Sequence, residues 1–314
     1  MATYNGGQFL QQQLESLRAQ TFENWQLLIS DDGSQDNTLA LLREYAKIDA
    51  RIKLLPNKKT ARGACQNFGY LASKGLETEA DYFFFCDQDD VWNKNKIAQQ
   101  HSILVAQTPN KPILVHHDLE VVDHQLRVNH PSFFDLMHLA PKDITFNGLV
   151  GRNEITGCTI ACNRSLLVNA LPVPASAIMH DWWLALKFQA VGEIHLISKT
   201  LIKYRQHDHN TIGAKSFWTG LNPLTNWIKG WQRGNQEFLM TLQQAEGLII
   251  HFREQLQLEQ QHSSLLIDLQ IYSAILTYPP LKRVQLARQN GHLRTNWLLN
   301  TVSLIRLFTM PRLN

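Results

Sequence analysis

The passage Tyr82-Phe83-Phe84-Phe85-Cys86-Asp87-Gln88-Asp89-Asp90 constrains this chain more than any other. Five strand-forming residues predict a buried strand, and it stops abruptly in three carboxylates. Acids crowded at one strand end repel one another unless a positive charge lies between them. A divalent cation held by hard oxygen ligands is the usual remedy. An Asp-x-Asp there suits Mg²⁺ or Mn²⁺ carrying a diphosphate; taken alone, it equally suits a solvated acidic turn.

Two upstream segments favour the first reading. Ala2-Thr3-Tyr4-Asn5-Gly6-Gly7 precedes Phe9, Leu10, Leu14 and Leu17, whose spacing is helical. Leu27-Leu28-Ile29-Ser30-Asp31-Asp32-Gly33-Ser34 is another apolar run ending in acids. Asp36-Asn37-Thr38 then opens a helix carrying Leu39, Leu42, Tyr45 and Ala46. Strand, short polar turn and helix, repeated, predict a parallel α/β sheet. Ligands of such sheets bind outside the carboxyl ends of the strands, so Asp32 and Asp87 to Asp90 are expected in one crevice. Asp31 reads as a helix cap or a turn-former before Gly33.

At these residues the chain resembles the family 2 glycosyltransferases of GT-A fold, in their bacterial rhamnosyltransferase-like branch. The matching segments are ATYNGG, SDDGSQDNT, FFFCDQDDVW, ITGCTIACNR, HDWW and YRQH, in family order from residue 2 to residue 207. The resemblance implies a Rossmann-like, mostly parallel sheet with flanking helices over residues 1–214. A basic, tryptophan-containing helical extension follows over 215–314. It also implies transfer of a sugar, rhamnose among the candidates, from a nucleotide-diphosphate donor to a saccharide hydroxyl, with inversion. The acceptor would be a lipid-linked cell-surface polysaccharide, and no nucleic-acid partner is expected.

Roles follow from the same resemblance. Thr3, Tyr4, Asn5 and Asp32 would hold the nucleotide, Tyr4 covering the base and Asp32 accepting its N–H. Gly63 and Asn67 mark a helix start near the nucleotide, with Arg62 an alternative phosphate contact. Asp87 and Asp89 would divide ribose and metal between them. His207 would complete the metal's ligands, and Arg205 would clamp phosphate. Asp181 would be the general base, held anionic in the first turn of a helix, or else only that helix's cap. His180 either orients Asp181 or packs. Trp92, Trp182 and Trp183 are either sugar platforms or core. Asp118 is expected at the pocket rim, and Thr211 to Ala214 as a lid hinged at Gly213.

Members of that family carry several apolar residues before the ATYN-like motif. Here Met1 stands inside that strand, so a shortened first strand is expected. Unpaired ladder groups beside it would cost about 1–3 kcal/mol each. The 314 residues, 44% hydrophobic and 18% charged, suit one α/β domain plus an appendage. No run approaches the ~18 apolar residues of a spanning helix, and no basic leader opens the chain. Cys65, Cys86, Cys158 and Cys162 read as reduced core thiols, as in a cytoplasmic protein.

Charge separates the two parts. From Lys215 onward ten Lys and Arg face five Asp and Glu, a net of +5, which leaves −2 for residues 1–214. Trp227 and Trp231 lie four apart beside Lys229 and Arg233. Segment 216–233 thus reads either as a membrane-surface helix, giving peripheral association at the inner face of the cell membrane, or as a packing helix. Residues 235–272 predict one or two amphipathic helices, and Trp297 to Phe308 a shorter apolar segment. Two other functions remain: a nucleotidyltransferase, although ATYNGGQF lacks the cation of its phosphate loop, and a nucleotide-sugar-binding protein with impaired catalysis.

Overall fold

A computed structural model describes residues 1–56, 63–108, 111–207, 227–255, 263–293 and 297–312. The strand–turn–helix repeat folds as expected. β1 (Ala2–Thr3), β2 (Leu27–Asp31) and β3 (Ile52–Leu54) run parallel in that order. The helices α1 (Leu10–Arg18) and α2 (Thr38–Ile48) connect them. Leu10, Leu14 and Leu17 on α1, with Leu42 and Tyr45 on α2, join Met1, Ile29 and Ile52 in one core.

The next elements are α3 (Ala64–Leu76), β4 (Tyr82–Phe84), β5 (Val91–Trp92), α4 (Lys96–Val105), β6 (Ile113–Val122), β7 (Val128–His130) and α5 (Phe133–Met137). Then come α6 (Phe146–Gly151), β8 (Ala161–Asn163), α7 (Arg164–Ala170), α8 (His180–Val191) and β9 (Glu193–Arg205). A second sheet has the order β4-β8-β6-β9-β5, with β7 on β6. Its β6–β9 pair is parallel; the other pairs are antiparallel, for which the sequence carried no signal. The long β9 ends at Arg205, so the YRQH segment arrives beside the acidic loop: the backbone N–H of Arg205 donates to Asp90 Oδ1.

β1 is short, as expected. Its ladder on β2 begins with Met1, whose nitrogen donates to the Leu28 carbonyl at 2.7 Å and whose carbonyl accepts from Ser30 N at 3.1 Å. A cavity of about 830 Å³ is lined by Leu27, Leu28, Phe68 and all three residues of β4. Tyr82, Phe83 and Phe84 are consequently half-buried, where the sequence predicts full burial. Of the four thiols, Cys86, Cys158 and Cys162 are buried and Cys65 partly so.

The chain forms two compact units. The first comprises residues 1–137, 155–173 and 179–213; the second, residues 138–154, 174–178 and 214–314. The second unit is helical. It contains α6, α9 (Trp227–Gln255), α10 (Ser263–Ser273), α11 (Pro280–Gln289) and α12 (Trp297–Thr309). Leu242, Ala245, Leu248 and Phe252 of α9 are buried, as are Leu269 and Tyr272 of α10. Thr241 and Tyr272 hydroxyls meet at 2.9 Å between those two helices. No described helix is long and apolar enough to cross a membrane.

Candidate active site

The turns after β1 and β2 interlock through short polar side chains. Asp31 accepts from Gly33 N and Ser34 N through Oδ1, at 3.0 and 2.9 Å, and from the Thr3 hydroxyl through Oδ2 at 2.9 Å. Gly33 has φ +92°, a left-handed position that suits glycine. Asp31 is therefore the turn-former its sequence suggested. Asn5 accepts from Gln35 N at 2.8 Å, while its own N–H donates to Ser34 Oγ. Tyr4, 56% exposed, is bracketed through its backbone by Gln88: Tyr4 N donates to Oε1 at 2.9 Å, and Nε2 donates to the Tyr4 carbonyl at 3.0 Å. Asp32 accepts from Gly63 N at 2.6 Å, just before α3.

Two residues expected at the nucleotide serve the scaffold instead. Thr3 is buried with its hydroxyl spent on Asp31. Asn67 is buried and its amide donates to the Ser30 carbonyl at 3.0 Å, pinning α3 to the end of β2. The Thr3 hydroxyl and the Asn67 amide nitrogen are thus committed to protein acceptors. Tyr4, Asn5, Asp32 and Gly63 stay at the exposed edge of these turns.

The three acids of the Asp-Gln-Asp-Asp loop lie at different depths. Asp90 is wholly buried. Asp87, Asp90 and the Cys158 thiol each bring one ligand atom within 4.8 Å of the others. Burial first, then the charges of Asp89 and Asp181, push the Asp87 carboxyl up to about 7. Burial and the charges of Asp89 and Asp87 hold Asp90 well above the carboxylate range. Asp89 lies nearer the surface, its Oδ2 2.8 Å from His207 Nε2. The structure thus joins two residues 118 apart in the chain. The Phe9 ring lies against that imidazole, centroids 4.8 Å apart.

Asp181 stands in the first turn of α8, as expected. Its Oδ2 accepts from Gly157 N at 2.8 Å and its Oδ1 from Trp182 N at 2.6 Å. A Cβ on Gly157 would stand 3.1 Å from His180 Nε2 and 3.2 Å from Asp181 Oδ2, so a glycine there allows the close approach. The adjacent Cys158 is the one that reaches Asp87 and Asp90. Gly157 and Cys158 therefore link the Asp181 carboxylate to the acidic loop, a connection that residue type alone did not reveal.

Several expected roles change. The Arg205 guanidinium is buried over the Phe9 ring and donates to the carbonyls of Asp89 and His124, both at 2.7 Å, and to Gln12 Oε1 at 2.6 Å. With its three faces spent on protein acceptors, Arg205 locks the acidic loop and is not a phosphate clamp. Trp92 is 5% exposed and packs against Lys96, whose ammonium lies 3.8 Å from the ring. Trp183 is fully buried and donates to the Ala170 carbonyl at 2.8 Å. Both are core, not sugar platforms, because their faces meet protein. Trp182 is partly buried.

His180 packs rather than orienting the acid. It stacks on Phe68 at 4.0 Å and leans on Phe85 at 5.3 Å, and neither ring nitrogen has a partner among the described residues. Burial lowers it to about 3, so the ring is neutral. Asp118, expected at the rim, instead accepts from Ser132 Oγ at 2.6 Å and from Phe133 N and Phe134 N at 3.1 Å, capping α5.

Sequence reasoning gave no role to Gln12, Gln88 and Lys96, and read Cys158 only as a core thiol. Lys96 is buried, donates to Gln100 Oε1 at 2.8 Å, and is lowered to about 7 by that burial. A lysine or glutamine on a helix reads as surface, and only a tertiary neighbour gives it another job. In the second unit, Trp231 lies 5.2 Å from the Arg306 guanidinium, which also donates to Asn235 Oδ1 at 3.0 Å. The expected lid at Thr211 to Ala214, along with Arg62 and residues 216–226, falls outside the described residues.

The profile of Glycosyl transferase family 2 matches residues 1–152. The chain is 30% identical over 226 residues to dTDP-rhamnosyl transferase RfbG of Shigella flexneri, covering 68% of this chain and 74% of that protein. It is 31% identical over 169 residues to the UDP-Glc:alpha-D-GlcNAc-diphosphoundecaprenol beta-1,3-glucosyltransferase WfgD of Escherichia coli, covering 53% of this chain and 60% of that protein. Among solved structures, S. aureus TarS 1-349 is similar in fold, with a TM-score of 0.53 at 16% identity over 98% of this chain and 88% of that one. An acidic loop, a helix-borne Asp and a histidine brought together on this fold, and a relative matched over most of its length, lead to one conclusion: the chain belongs to glycosyl transferase family 2 and is a glycosyltransferase of GT-A fold.

Proposed function

We propose that this enzyme transfers a sugar, with inversion, from a nucleoside-diphosphate donor to a saccharide hydroxyl, and that Asp181 is the general base. The supporting observation is the link through Gly157 and Cys158, which holds the Asp181 carboxylate next to the acidic loop. In the step so assigned, the acceptor oxygen attacks the anomeric carbon as the bond to the donor phosphate breaks. The hydroxyl proton passes to a carboxylate oxygen of Asp181, and the nucleoside diphosphate leaves from the opposite face. Asp181 suits this task because two backbone N–H groups and the start of α8 favour its anion.

Tyr4, Asn5, Asp32 and Gly63 form the nucleotide side in this reading, with Asp87 towards the ribose. Asp89 and His207 would hold a hard divalent ion, Mg²⁺ or Mn²⁺. The donor set fits: carboxylate oxygens and an imidazole lie together among crowded acids that a cation would relieve. Such an ion neutralises charge on the departing diphosphate. Trp182, the partly buried tryptophan, is assigned to the acceptor side. RfbG, by its name a dTDP-rhamnosyl transferase, makes dTDP-rhamnose the first donor to try. WfgD, which by its name acts on a diphosphoundecaprenol-linked sugar, supports a lipid-linked acceptor in cell-surface polysaccharide synthesis. Such an acceptor would be met at the cytoplasmic face of a membrane.

The test combines a donor panel with Asp181→Asn, which keeps shape and hydrogen bonding but cannot take the proton. Donor binding by calorimetry is expected to persist while transfer falls roughly 10²–10⁴-fold. Turnover near the wild-type rate would leave Asp181 a helix cap.

A further inference from the structure

The helical unit carries a surface that the sugar-transfer chemistry leaves unused. Beyond Asp268 the chain contains six Lys and Arg and no acid. In α12, Leu307 and Met310 just beyond it are buried, whereas Val302, Ile305 and Phe308 recur at every third position and are exposed, the last by 50%. Leu281, in the first turn of α11, is 77% exposed. Arg283 brings these ends together: two residues beyond Leu281, it donates to the Leu307 and Met310 carbonyls at 3.1 and 2.7 Å. The start of α11 therefore lies beside the end of α12.

Five of these six cations lie among the described residues. Arg283 is buried and Arg306 is turned onto Trp231 and Asn235. Lys282, Arg288 and Arg312 are exposed. An exposed apolar stripe on two helices that carry cations and no acid is complementary to an anionic lipid surface. Phosphates there meet the cations while the apolar side chains reach the acyl boundary. At 10 and 13 residues, α11 and α12 are too short to span a bilayer, so contact would be in the membrane plane.

We propose that the α11–α12 face docks peripherally on anionic lipid, with Leu281, Val302, Ile305 and Phe308 entering the headgroup layer and Lys282, Arg288 and Arg312 meeting its phosphates. This face is distinct from segment 216–233, to which the sequence alone pointed. The inference deepens the reading of a lipid-linked acceptor by giving the enzyme a place to meet it, yet it rests on the helical unit alone.

Flotation of the full chain on vesicles tests it without turnover, so failure here and failure of the proposed transfer are separate results. Vesicles of phosphatidylcholine alone are compared with vesicles also containing phosphatidylglycerol. Binding is expected only with phosphatidylglycerol, weakening as salt is added. A Leu281→Ser/Ile305→Ser/Phe308→Ser variant and a separate Lys282→Glu/Arg288→Glu/Arg312→Glu variant should each bind at least about tenfold less, since each exposed cation near the surface adds appreciably to attraction. All these positions are exposed, and circular dichroism checks that both variants fold. Two independent variants keep the test decisive if one fails to fold. Equal flotation of wild type and folded variants, or none on anionic vesicles, would overturn the proposal. So would a dimer in sedimentation that the serine variant dissolves, since a second copy would then cover the face.

Discussion

Two of the imidazoles that lie near a carboxylate in the first unit, both at the candidate site, are built in opposite ways. At Asp89 and His207 the ring nitrogen meets a carboxylate oxygen at 2.8 Å, close to the surface and 118 residues apart in the chain. At His180 and Asp181 the two are neighbours in sequence, but the ring stacks on Phe68 and is tilted against Phe85 while the carboxylate bonds to backbone N–H groups. The first pair is a polar contact made by the fold; the second is a packing ring beside a carboxyl group held by backbone N–H donors. Adjacency in a motif thus does not assign a role, because side-chain direction on the first turn of a helix separates two neighbouring residues.

The largest effect that bears on this contrast concerns the core behind Asp181. Trp183→Ala should cost about 3–5 kcal/mol of stability in urea unfolding, from the cavity left by a fully buried indole and the lost bond to Ala170. Trp182→Ala should cost much less and instead raise the KM for acceptor. Similar stability losses for the two would erase the distinction between core and acceptor side.

Next comes the polar pair. Asp89→Asn keeps the hydrogen bond to His207 possible but removes the charge on the proposed metal ligand. Transfer should fall roughly 10²–10³-fold, the usual worth of one electrostatic stabiliser, with the fold intact. Transfer that persists in EDTA in the wild type would break the assignment of a metal to Asp89 and His207.

The smallest effect sharpens the packing side. Burial holds His180 at about 3, below its ordinary value of 6.5, so the unfolded chain takes up a proton that the folded ring refuses. The stability it contributes is full above 6.5 and is lost as the pH falls through that value towards 3. His180→Leu, nearly volume-conserving, should change neutral-pH stability by less than about 1.5 kcal/mol. It should also flatten the acid side of the stability curve by up to about 1.4 kcal/mol per pH unit. His116 and His117 are also lowered by burial, so only the difference between wild type and variant reports His180. A pH profile of stability left unchanged would refute the buried, neutral ring, whereas a fall in transfer comparable with that of Asp181→Asn would make His180 a positioning residue.

The sequence by itself determined the elements whose signal is local. Apolar spacing on α1 and α2, the strand-to-acid boundaries of β2 and β4, and the turn built by Asp31 and Gly33 depend on residues a few positions apart. Backbone sterics and helical period act at that range. The order of the motifs along the chain carried the family.

Only the tertiary structure decided which side chains are spent on protein. Arg205 had the right chemistry for phosphate, but Gln12, the His124 carbonyl and the Asp89 carbonyl surround it. Trp92 and Trp183 had the right rings for a sugar, but buried packing takes both faces. The antiparallel pairing of β4 with β8, the half-burial of β4 beside a cavity, and the Gly157–Cys158 link likewise join residues far apart in the chain. A motif specifies which groups a segment offers. Whether they face a ligand depends on the partners that distant segments bring, and burial then decides: a donor removed from water bonds to the nearest protein acceptor or is costly to leave unmatched.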